Sequence, residues 1–590
     1  MTVDSVDAGT STGPSSGVRE GLAQRLVDRL SGLPTPIVAA AAYVLGAVWL
    51  MSGLLPYTYR ISVNGLRDQA YAEWMLLHGA RILTDGASPW VETQVDFPAT
   101  VNTFSDGGML GLSVPLAPLT LLLGPTRAFA VGAVLILAAT AFAWYWVLSR
   151  HVVTSRLAAV VGGAVGGFAP GVVAHAQGDL GLAAQFLVPF IIWRVLRLRD
   201  GHALRNGVVL GLLCAWQGMI APEMLTLLAL GFAVFFIVYA TQRFSDVRRH
   251  APAVLGGLAV AAVVTLALLA YPLWTQYFGP HRDHPARALR DLGADLVSFV
   301  RFSSTSLATH PVGRVHYAQS GIEQNTFWGW PLLAFLVVAA WWLWTPLSRA
   351  LALAAGLLCL LACGATLTVK GASTGIPGPW RLLAGLPVLR GVAPTHVALV
   401  VTPLFVLIFA LAAQRAAEEV AALRAERPGT RLGFLWYGLV AAALLPTAPA
   451  PVEVRDVPIP PFIAAGTWRA YVPVGRTLAM VPVTGSSDPS DLRWALSTDL
   501  ELAVSNANLA PTVDRARTAT LRGLPVAAAD KAAARRSLAD GRASVLVMRT
   551  DRVMKPGENE ETLWKMTTAL VGVQPVWVGG VWVWDLRTVA

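Results

Sequence analysis

The residues best suited to chemistry begin in a long polar segment, 56–108, that separates two apolar runs. Its stretch DQAYAEWMLLHG follows Arg67 and contains Asp68 and Glu73. Asp68 stands at the start of a helical pattern, so it either caps that helix by accepting backbone N–H bonds or serves as a general base. Glu73 lies five residues further on, off the same helical face, so the two carboxylates need not act as a pair.

A second group occurs in GFAPGVVAHAQGDLG, where His175 and Asp179 are four positions apart. Its glycines and proline predict an interrupted helix, and an interruption at membrane depth usually lines a cavity. A structural His–Asp pair and a functional site are both open interpretations. Glu223, in GMIAPEML, stands between two apolar runs and is either a functional carboxylate or an interfacial residue.

Cationic side chains form a third group. The segment 277–327 is rich in arginine and histidine and ends near Glu323, and PWRLLAGLPVLRGVAPTH contains Arg381, Arg390 and His396. Guanidinium groups suit a phosphate or pyrophosphate ligand. The alternative is that these cations only anchor the chain at lipid head groups.

Composition predicts that a membrane positions these residues. The 590-residue chain is 55% hydrophobic and only 14% charged, whereas soluble domains carry about 25% charged residues. Apolar runs of about 20 residues recur, as membrane-spanning helices require. Eleven spans are predicted, at 36–55, 126–148, 156–175, 181–198, 205–221, 223–241, 252–276, 328–345, 350–369, 395–414 and 432–449.

Charge predicts the orientation of these spans. The net charge is +10, and the arginines cluster in short loops. The positive-inside rule predicts this distribution for a membrane protein, so the positive charge does not indicate nucleic-acid binding. That rule holds only if the apolar stretch 109–124, broken by Pro115 and Pro118, is interfacial or re-entrant and does not cross. Residues 1–35 are then a cytoplasmic, partly disordered segment that precedes the membrane domain 36–449. The predicted exported segments are 56–125, 277–327, 370–394 and 450–590.

The C-terminal residues 450–590 change character and predict an extracytoplasmic α/β domain. A proline-rich linker, PTAPAPVEVRDVPIPP, precedes short apolar runs and helical patterns. The predicted strands are 477–481, 544–548 and 576–584, and the predicted helices are 526–539 and 559–571.

Several of these stretches together resemble the GT-C-type polytopic membrane glycosyltransferases, specifically an actinobacterial group. The resemblance covers about 37–420 and is carried by DQAYAEWMLLHGARIL, DGASPW, GLSVPLAPLTLLLGP, GFAPGVVAHAQGDLGLAAQFLVPFI, APEML, YPLWTQYFGP, IEQNTFWGWPLL and LPVLRGVAPTHVALV. The C-terminal GVWVWDL is similar to the terminal strand of that group.

The resemblance implies a cell-membrane enzyme that transfers a sugar from a polyprenyl-phosphate donor to an envelope glycan, lipid or protein at the outer face. It implies Asp68 as the general base and a divalent metal, Mg or Mn, held by Asp179 and Glu323. The chain departs from the family pattern in three places. Arg67 replaces a glycine, Asp179 lies in GDL where GHL is common, and His396 replaces an arginine.

The substrate-binding residues expected from this scheme are Arg67, Glu73, His175, Glu223, Arg381, Arg390 and His396. Two other functions fit the same sequence: a transporter or flippase of a lipid-linked intermediate, and a non-catalytic membrane scaffold. An enzyme requires Asp68 in an open cleft, a transporter requires a path between both faces, and a scaffold would have Asp68 paired away or fully exposed.

Overall fold

The structure is a computed structural model that describes most of the chain. The described residues are 34–56, 60–92, 101–104, 108–279, 292–309, 317–318, 320–389, 391–426, 432–481, 489–505, 509–549 and 559–588.

Helices dominate the residues before 450. Their bounds are α1 Thr35–Leu50, α2 Leu66–Thr84, α3 Leu110–Ser113, α4 Ala117–Leu123, α5 Pro125–His151, α6 Arg156–Gly167, α7 Pro170–His175, α8 Leu180–Ala183, α9 Val188–Arg197, α10 Ala203–Ile220, α11 Pro222–Gln242, α12 Phe244–Tyr277, α13 Trp330–Leu343, α14 Pro346–Ala362, α15 Val401–Glu426 and α16 Leu432–Leu444. Short strands lie between some of them: β1 Arg60–Ser62, β2 Val91–Glu92, β3 Val101–Asn102, β4 Thr366–Val369 and β5 Ala372–Pro377.

Five helical segments among the described residues are long and apolar enough to cross a membrane. They are Pro125–His151, Ala203–Ile220, Pro222–Gln242, Phe244–Tyr277 and Pro394–Leu423. Shorter apolar helices of 10–17 residues accompany them, α1, α6, α13 and α14 among these. Length and composition therefore support a membrane protein with several helical spans, and the number eleven stays a prediction.

Small residues let these helices pack closely. A Cβ atom added at Gly167 of α6 would lie 2.4 Å from the Cβ of Ala141 in α5, and one added at Gly207 of α10 would lie 2.6 Å from the carbonyl oxygen of Gly257 in α12. Such contacts are typical of membrane helices, because lipid offers no hydrophobic force to hold helices together and dispersion contacts must do so.

Three predicted spans differ from the observed helices. The run 156–175 is divided into α6 and α7, because Pro170 begins a new helix after Ala169. The run 181–198 is divided into α8 and α9, and the run 350–369 ends as a helix at Ala362 before strand β4. The stretch 109–124 forms only α3 and α4, both too short to span a bilayer.

The C-terminal residues form a four-stranded sheet with helices around it. Its elements, together with the strand that leads into it, are β6 Val454–Asp456, α17 Pro461–Ala464, β7 Thr477–Val481, α18 Ser490–Ser497, α19 Ala510–Leu521, α20 Ala528–Asp540, β8 Ala543–Arg549, α21 Glu560–Val571, β9 Val576–Val578 and β10 Val581–Asp585. The strand order is β7-β8-β10-β9, with β7 parallel to β8 and the other pairs antiparallel.

Both faces of strands β7 and β8 are buried. Alternate residues of β7 and β8 belong to two separate apolar clusters, with Leu478 and Val545 in one and Ala479 and Leu546 in the other. The predicted strand 576–584 is a hairpin, because Gly579 and Gly580, with φ of +54° and +84°, form the two-residue turn between β9 and β10.

The first polar segment and the C-terminal linker lie on the same side of the helices. Strand β1 pairs with β6 in antiparallel register, with Arg60 opposite Asp456 and Ser62 opposite Val454. The Arg60 guanidinium also lies 3.2 Å from the Asp456 carboxylate. Residues far apart in sequence therefore meet beside the N-terminus of α2, the helix that carries Asp68.

Candidate active site

Asp68 is presented by the first turn of α2, which is pressed against the segment after α7. A Cβ atom at Gly65 would lie 1.8 Å from the Gln177 carbonyl oxygen, and one at Gly178 would lie 2.9 Å from the Asp68 Cβ. Only glycine permits either approach. Leu66 has a φ of +35°, which is strained for a leucine and costs about 1–3 kcal/mol.

A buried amide joins the two segments. The Gln177 side-chain oxygen accepts hydrogen bonds of 3.0 Å from the Ser62 hydroxyl and from the Asn64 amide. Two residues later, Asp179 caps α8 by accepting a 3.0 Å bond from the Leu182 N–H. These bonds fix both aspartate-bearing segments, so Asp68 and Asp179 are neighbours because the backbone is held on both sides.

His396 connects two further carboxylates. Its Nδ1 atom lies 2.7 Å from Glu223 Oε1, and its Nε2 atom lies 2.8 Å from Glu323 Oε1. Glu223 also accepts a 3.3 Å bond from the Ala393 N–H, and Glu323 accepts one of 3.0 Å from the Asn325 amide. Residues from three distant parts of the chain thus converge at one buried imidazole.

His175 completes this cluster without a hydrogen bond of its own. Its ring is 1% exposed, and neither ring nitrogen has a partner among the described residues. The ring stands edge-on to His396, with 5.2 Å between the centroids. His175 and Asp179 do not share a helix face, since α7 ends at His175 and a turn separates it from α8.

The electrostatics of the cluster act on Asp68. Its side chain stays accessible to solvent, but the protein around it removes much of its hydration. This desolvation, followed by repulsion from Asp179 and Glu323, raises the pKa of Asp68 to about 6 from 3.8. Burial also opposes ionisation of Glu323, but the attraction and hydrogen bond of His396 outweigh it and lower the pKa of Glu323.

The residues also fit a divalent metal. One ligand atom each from His175, Glu323 and His396 lies within 4.8 Å of the others. Two imidazoles and one carboxylate are a ligand set that zinc and related metals accept, with one position left open. The unpartnered nitrogens of buried His175 support this interpretation. Asp179, predicted as a ligand, lies outside this group of three, whereas Glu323 belongs to it.

Other predicted site residues have different positions. Arg67 forms a 2.6 Å ion pair with Asp491 of α18. Glu73 is fully buried and lies 3.3 Å from an Arg493 nitrogen, so its side chain is closed to solvent, and its role in substrate binding stays a prediction. Arg381 is exposed, and no ion pair within the described ranges joins it to the cluster.

Two basic groups cannot be placed. Arg390 lies outside the described residues, as do the histidines and arginines at 281–290 and 310–316. Their proposed role in phosphate binding therefore stays a prediction from sequence.

Several residues of this site were not predicted from the sequence. Gln177 lies within GFAPGVVAHAQGDLG, and its position directly before GDL was a signal that could have identified it as a site residue. Asn325 bonds Glu323 two residues away, but no motif marked this pair, and Arg493 carried no signal because its partner Glu73 is more than 400 positions away.

Comparison with known proteins adds evidence on the fold. No protein-family model and no curated protein matches the sequence. A cryo-EM structure of the arabinofuranosyltransferase AftD from mycobacteria is similar, with a TM-score of 0.51 and 14% identity over 93% of this chain and 40% of that one. The apo oligosaccharyltransferase of Archaeoglobus fulgidus gives a TM-score of 0.48 and 13% identity over 94% and 72% of the two chains.

At such low identity the similarity concerns the fold alone, and of these two structures AftD is the one with a TM-score above 0.5. This chain spans 40% of the length of AftD. It therefore shares a fold with part of a glycosyltransferase, as the resemblance to the GT-C type led us to expect.

Proposed function

We propose that this protein is a GT-C-type membrane glycosyltransferase in which Asp68 is the general base. The observation that carries the proposal is the accessible Asp68 carboxylate, held beside Asp179 and Glu323 with its pKa raised to about 6. A base with a pKa close to the working pH is well matched to deprotonating a hydroxyl group in a transition state. A non-catalytic scaffold requires no such group.

The proposed reaction is a displacement at the anomeric carbon of a polyprenyl-phosphate sugar. The acceptor hydroxyl oxygen forms the new bond to that carbon while its proton passes to the Asp68 carboxylate. The bond from carbon to the phosphate oxygen breaks, and its electron pair leaves with the polyprenyl phosphate. Such a base contributes about 10²–10⁴-fold to the rate.

A divalent metal would be held by His175, Glu323 and His396. When bound there, such an ion would supply positive charge that could stabilise a developing phosphate anion. Glu223 would orient the His396 ring through its Nδ1 atom, as carboxylates commonly do for metal-binding histidines. The two histidine ligands favour a transition metal over Mg, because imidazole nitrogen is a poor ligand for Mg.

An apolar cavity of about 650 Å³ supports a lipid-linked donor. Its lining includes Leu228 and Gly231 of α11, and Val400 and Leu404 near the start of α15. Leu228 is five residues, about 7.5 Å, along the helix from Glu223, and Val400 is four residues after His396. The cavity therefore begins more than one helical turn from Glu223 and runs away from the cluster to Tyr239, Asp246 and His250, so only the distal part of a long lipid chain would reach it.

The test is sugar transfer by the purified protein in lipid nanodiscs, supplied with radiolabelled polyprenyl-phosphate sugars and an envelope glycan extract. We expect release of polyprenyl phosphate, reduced about 10²–10⁴-fold by Asp68→Asn. Asp85→Asn is the matched control, because Asp85 is exposed at the other end of α2, where it forms an ion pair with Arg81. Full activity of Asp68→Asn would overturn the proposal.

A further inference from the structure

The C-terminal helix α18 packs directly on α2. Asp491 and Arg493 of α18 each form an ion pair with α2, at 2.6 Å to Arg67 and at 3.3 Å to Glu73. The first pair is partly exposed, whereas the Glu73 and Arg493 side chains are 0% and 4% exposed. A region that follows all the apolar helices is thus bonded to the helix that carries Asp68.

The buried pair is enclosed by further hydrogen bonds. Glu73 accepts bonds of 2.8 Å from the Gln69 amide and 3.0 Å from the Thr126 hydroxyl. Arg493 donates bonds of 3.2 Å to Thr126 and 2.9 Å to the Arg60 carbonyl oxygen. Burial raises the pKa of Glu73, and Arg493, Gln69 and Thr126 oppose that rise. Removal of Arg493 would leave Glu73 with an uncompensated charge.

The same contacts continue to the acidic segments of the proposed active site. The Gln69 side-chain oxygen accepts a 2.7 Å bond from the Ser62 N–H. The Ser62 hydroxyl in turn donates 3.0 Å to Gln177, which stands two residues before Asp179. A continuous set of buried hydrogen bonds therefore runs from Arg493 to both aspartate-bearing segments without including either aspartate.

The geometry of a helix explains how this contact acts. Asp68 and Glu73 are five residues apart, which separates them by about 140° around the axis of α2. Glu73 therefore faces away from the cluster while Asp68 faces it. A carboxylate about 5–6 Å from the axis moves by about 1.5 Å when the helix turns by about 15°. A misplacement of about 1 Å can reduce a rate about 10²-fold.

We propose that Arg493 is a positioning residue, which acts through Glu73 to fix the rotation of α2 and so holds the Asp68 carboxylate beside Asp179 and Glu323. This inference rests on the proposed function of Asp68 and assigns the C-terminal region a part in the reaction. Since no hydrogen bond or ion pair between described residues joins Arg493 to the cluster, its loss changes the position of the base more than the groups that bind the donor.

The experiment compares four variants in nanodiscs: Arg493→Met, Arg493→Lys, the double variant Glu73→Met with Arg493→Met, and Arg515→Met. Arg515 is the matched control, because it forms a 2.7 Å ion pair with Asp530 within the same C-terminal region, away from α2. The readouts are kcat and KM for the lipid donor, the pH–rate profile, the fraction folded, and hydrogen exchange of the α2 amides.

We expect Arg493→Met to lower kcat about tenfold or more per folded molecule, with KM changed less than about twofold. Its pH–rate limb should move to lower pH, as Asp68 moves away from Asp179 and Glu323. Arg493→Lys should retain an intermediate kcat, because one ammonium group replaces only part of the contacts. The double variant should fold normally, since no buried charge is left unpaired, but its kcat should stay low.

Two results would overturn the inference. One is a loss of activity in Arg493→Met that equals its loss of folded protein, with an unchanged pH profile. The other is full kcat in the double variant. If wild-type protein consumes no lipid-linked sugar, the proposed function fails, and positioning is judged by hydrogen exchange alone. Faster exchange of α2 in Arg493→Met but not in Arg515→Met would then support it, and equal exchange would refute it.

Discussion

The Nδ1 atom of His396 lies 2.7 Å from a Glu223 carboxylate oxygen, although 173 positions separate the two residues. The other ring nitrogen faces Glu323 at 2.8 Å. A free imidazole can donate to both carboxylates only if both nitrogens carry protons. A metal ion at Nε2 would replace one of those protons and leave the bond to Glu223 intact.

Metal binding follows from this arrangement. We expect the protein, freed of metal by a chelator, to bind about one Zn²⁺ or Mn²⁺ per chain. His175→Gln should weaken binding strongly, because it removes a ligand, and Glu223→Gln should weaken it about 10–100-fold through the orientation of His396. Titration calorimetry measures both effects. His250→Gln is the control, since His250 pairs with Asp246 away from this cluster, and equal losses in all three variants would refute the site.

The pH dependence follows from the raised pKa of Asp68. The base must be ionised to accept a proton, so with no metal bound the rate should fall as the pH is lowered through about 6, whereas an aspartate with the ordinary value of 3.8 would keep the rate constant to about pH 4. A divalent cation held by Glu323 would move this limb to lower pH. Asp179→Asn removes a repelling charge but can still cap α8, so it should move this limb to lower pH. Identical profiles for wild type and Asp179→Asn would contradict the assigned cause.

Close packing at Gly65 makes a separate prediction. Because a Cβ atom there would meet the Gln177 carbonyl oxygen at 1.8 Å, Gly65→Ala should displace α2, destabilise the fold by about 1–3 kcal/mol and lower activity further than stability alone explains. Gly256→Ala is the control, because nothing lies within 4 Å of the Cβ it adds. Thermal unfolding and turnover, measured together, distinguish the two variants. Equal stability and equal turnover of the two would show that Gly65 does not approach the Gln177 carbonyl oxygen this closely.

The apolar cavity predicts a dependence on donor chain length. Gly231→Leu adds a side chain to the cavity wall close to Val400, so it should raise KM for long polyprenyl donors and leave KM for short-chain analogues unchanged. Gly256→Leu adds the same group at a position with no neighbours within 4 Å of its Cβ. A uniform change in KM for all chain lengths would exclude this cavity as the site of the lipid chain.

Long apolar runs made the central helices predictable from sequence. The predicted span 126–148 corresponds to Pro125–His151, and 205–221 corresponds to Ala203–Ile220. Helix Phe244–Tyr277 begins eight residues earlier than predicted, because its first turns are polar and contain no hydropathy signal. Helix Ser490–Ser497 was missed, since eight residues show too little periodicity to distinguish a helix from a loop.

The site was predictable only in part. Asp68 and Glu223 stood out because carboxylates are unusual beside apolar runs. The contact of His396 with Glu223 and Glu323, and that of Arg493 with Glu73, were not predictable, because no local pattern reports which distant segments meet. The burial of Glu73, which was predicted to bind substrate, was not predictable either, because it depends on contact with a helix more than 400 residues away.

The proposed chemistry requires Asp68 on the outer side of the membrane. The pairing of β1 with β6 places residues 60–62 and 454–456 together, so both must face the same compartment. The decisive measurement is labelling of single cysteines in intact cells with a membrane-impermeant maleimide, in a chain whose three native cysteines are replaced. Ser88→Cys and Ala529→Cys should react from outside, and Ser245→Cys only after permeabilisation. Labelling of Ser245→Cys from outside, with Ser88→Cys protected, would contradict the account.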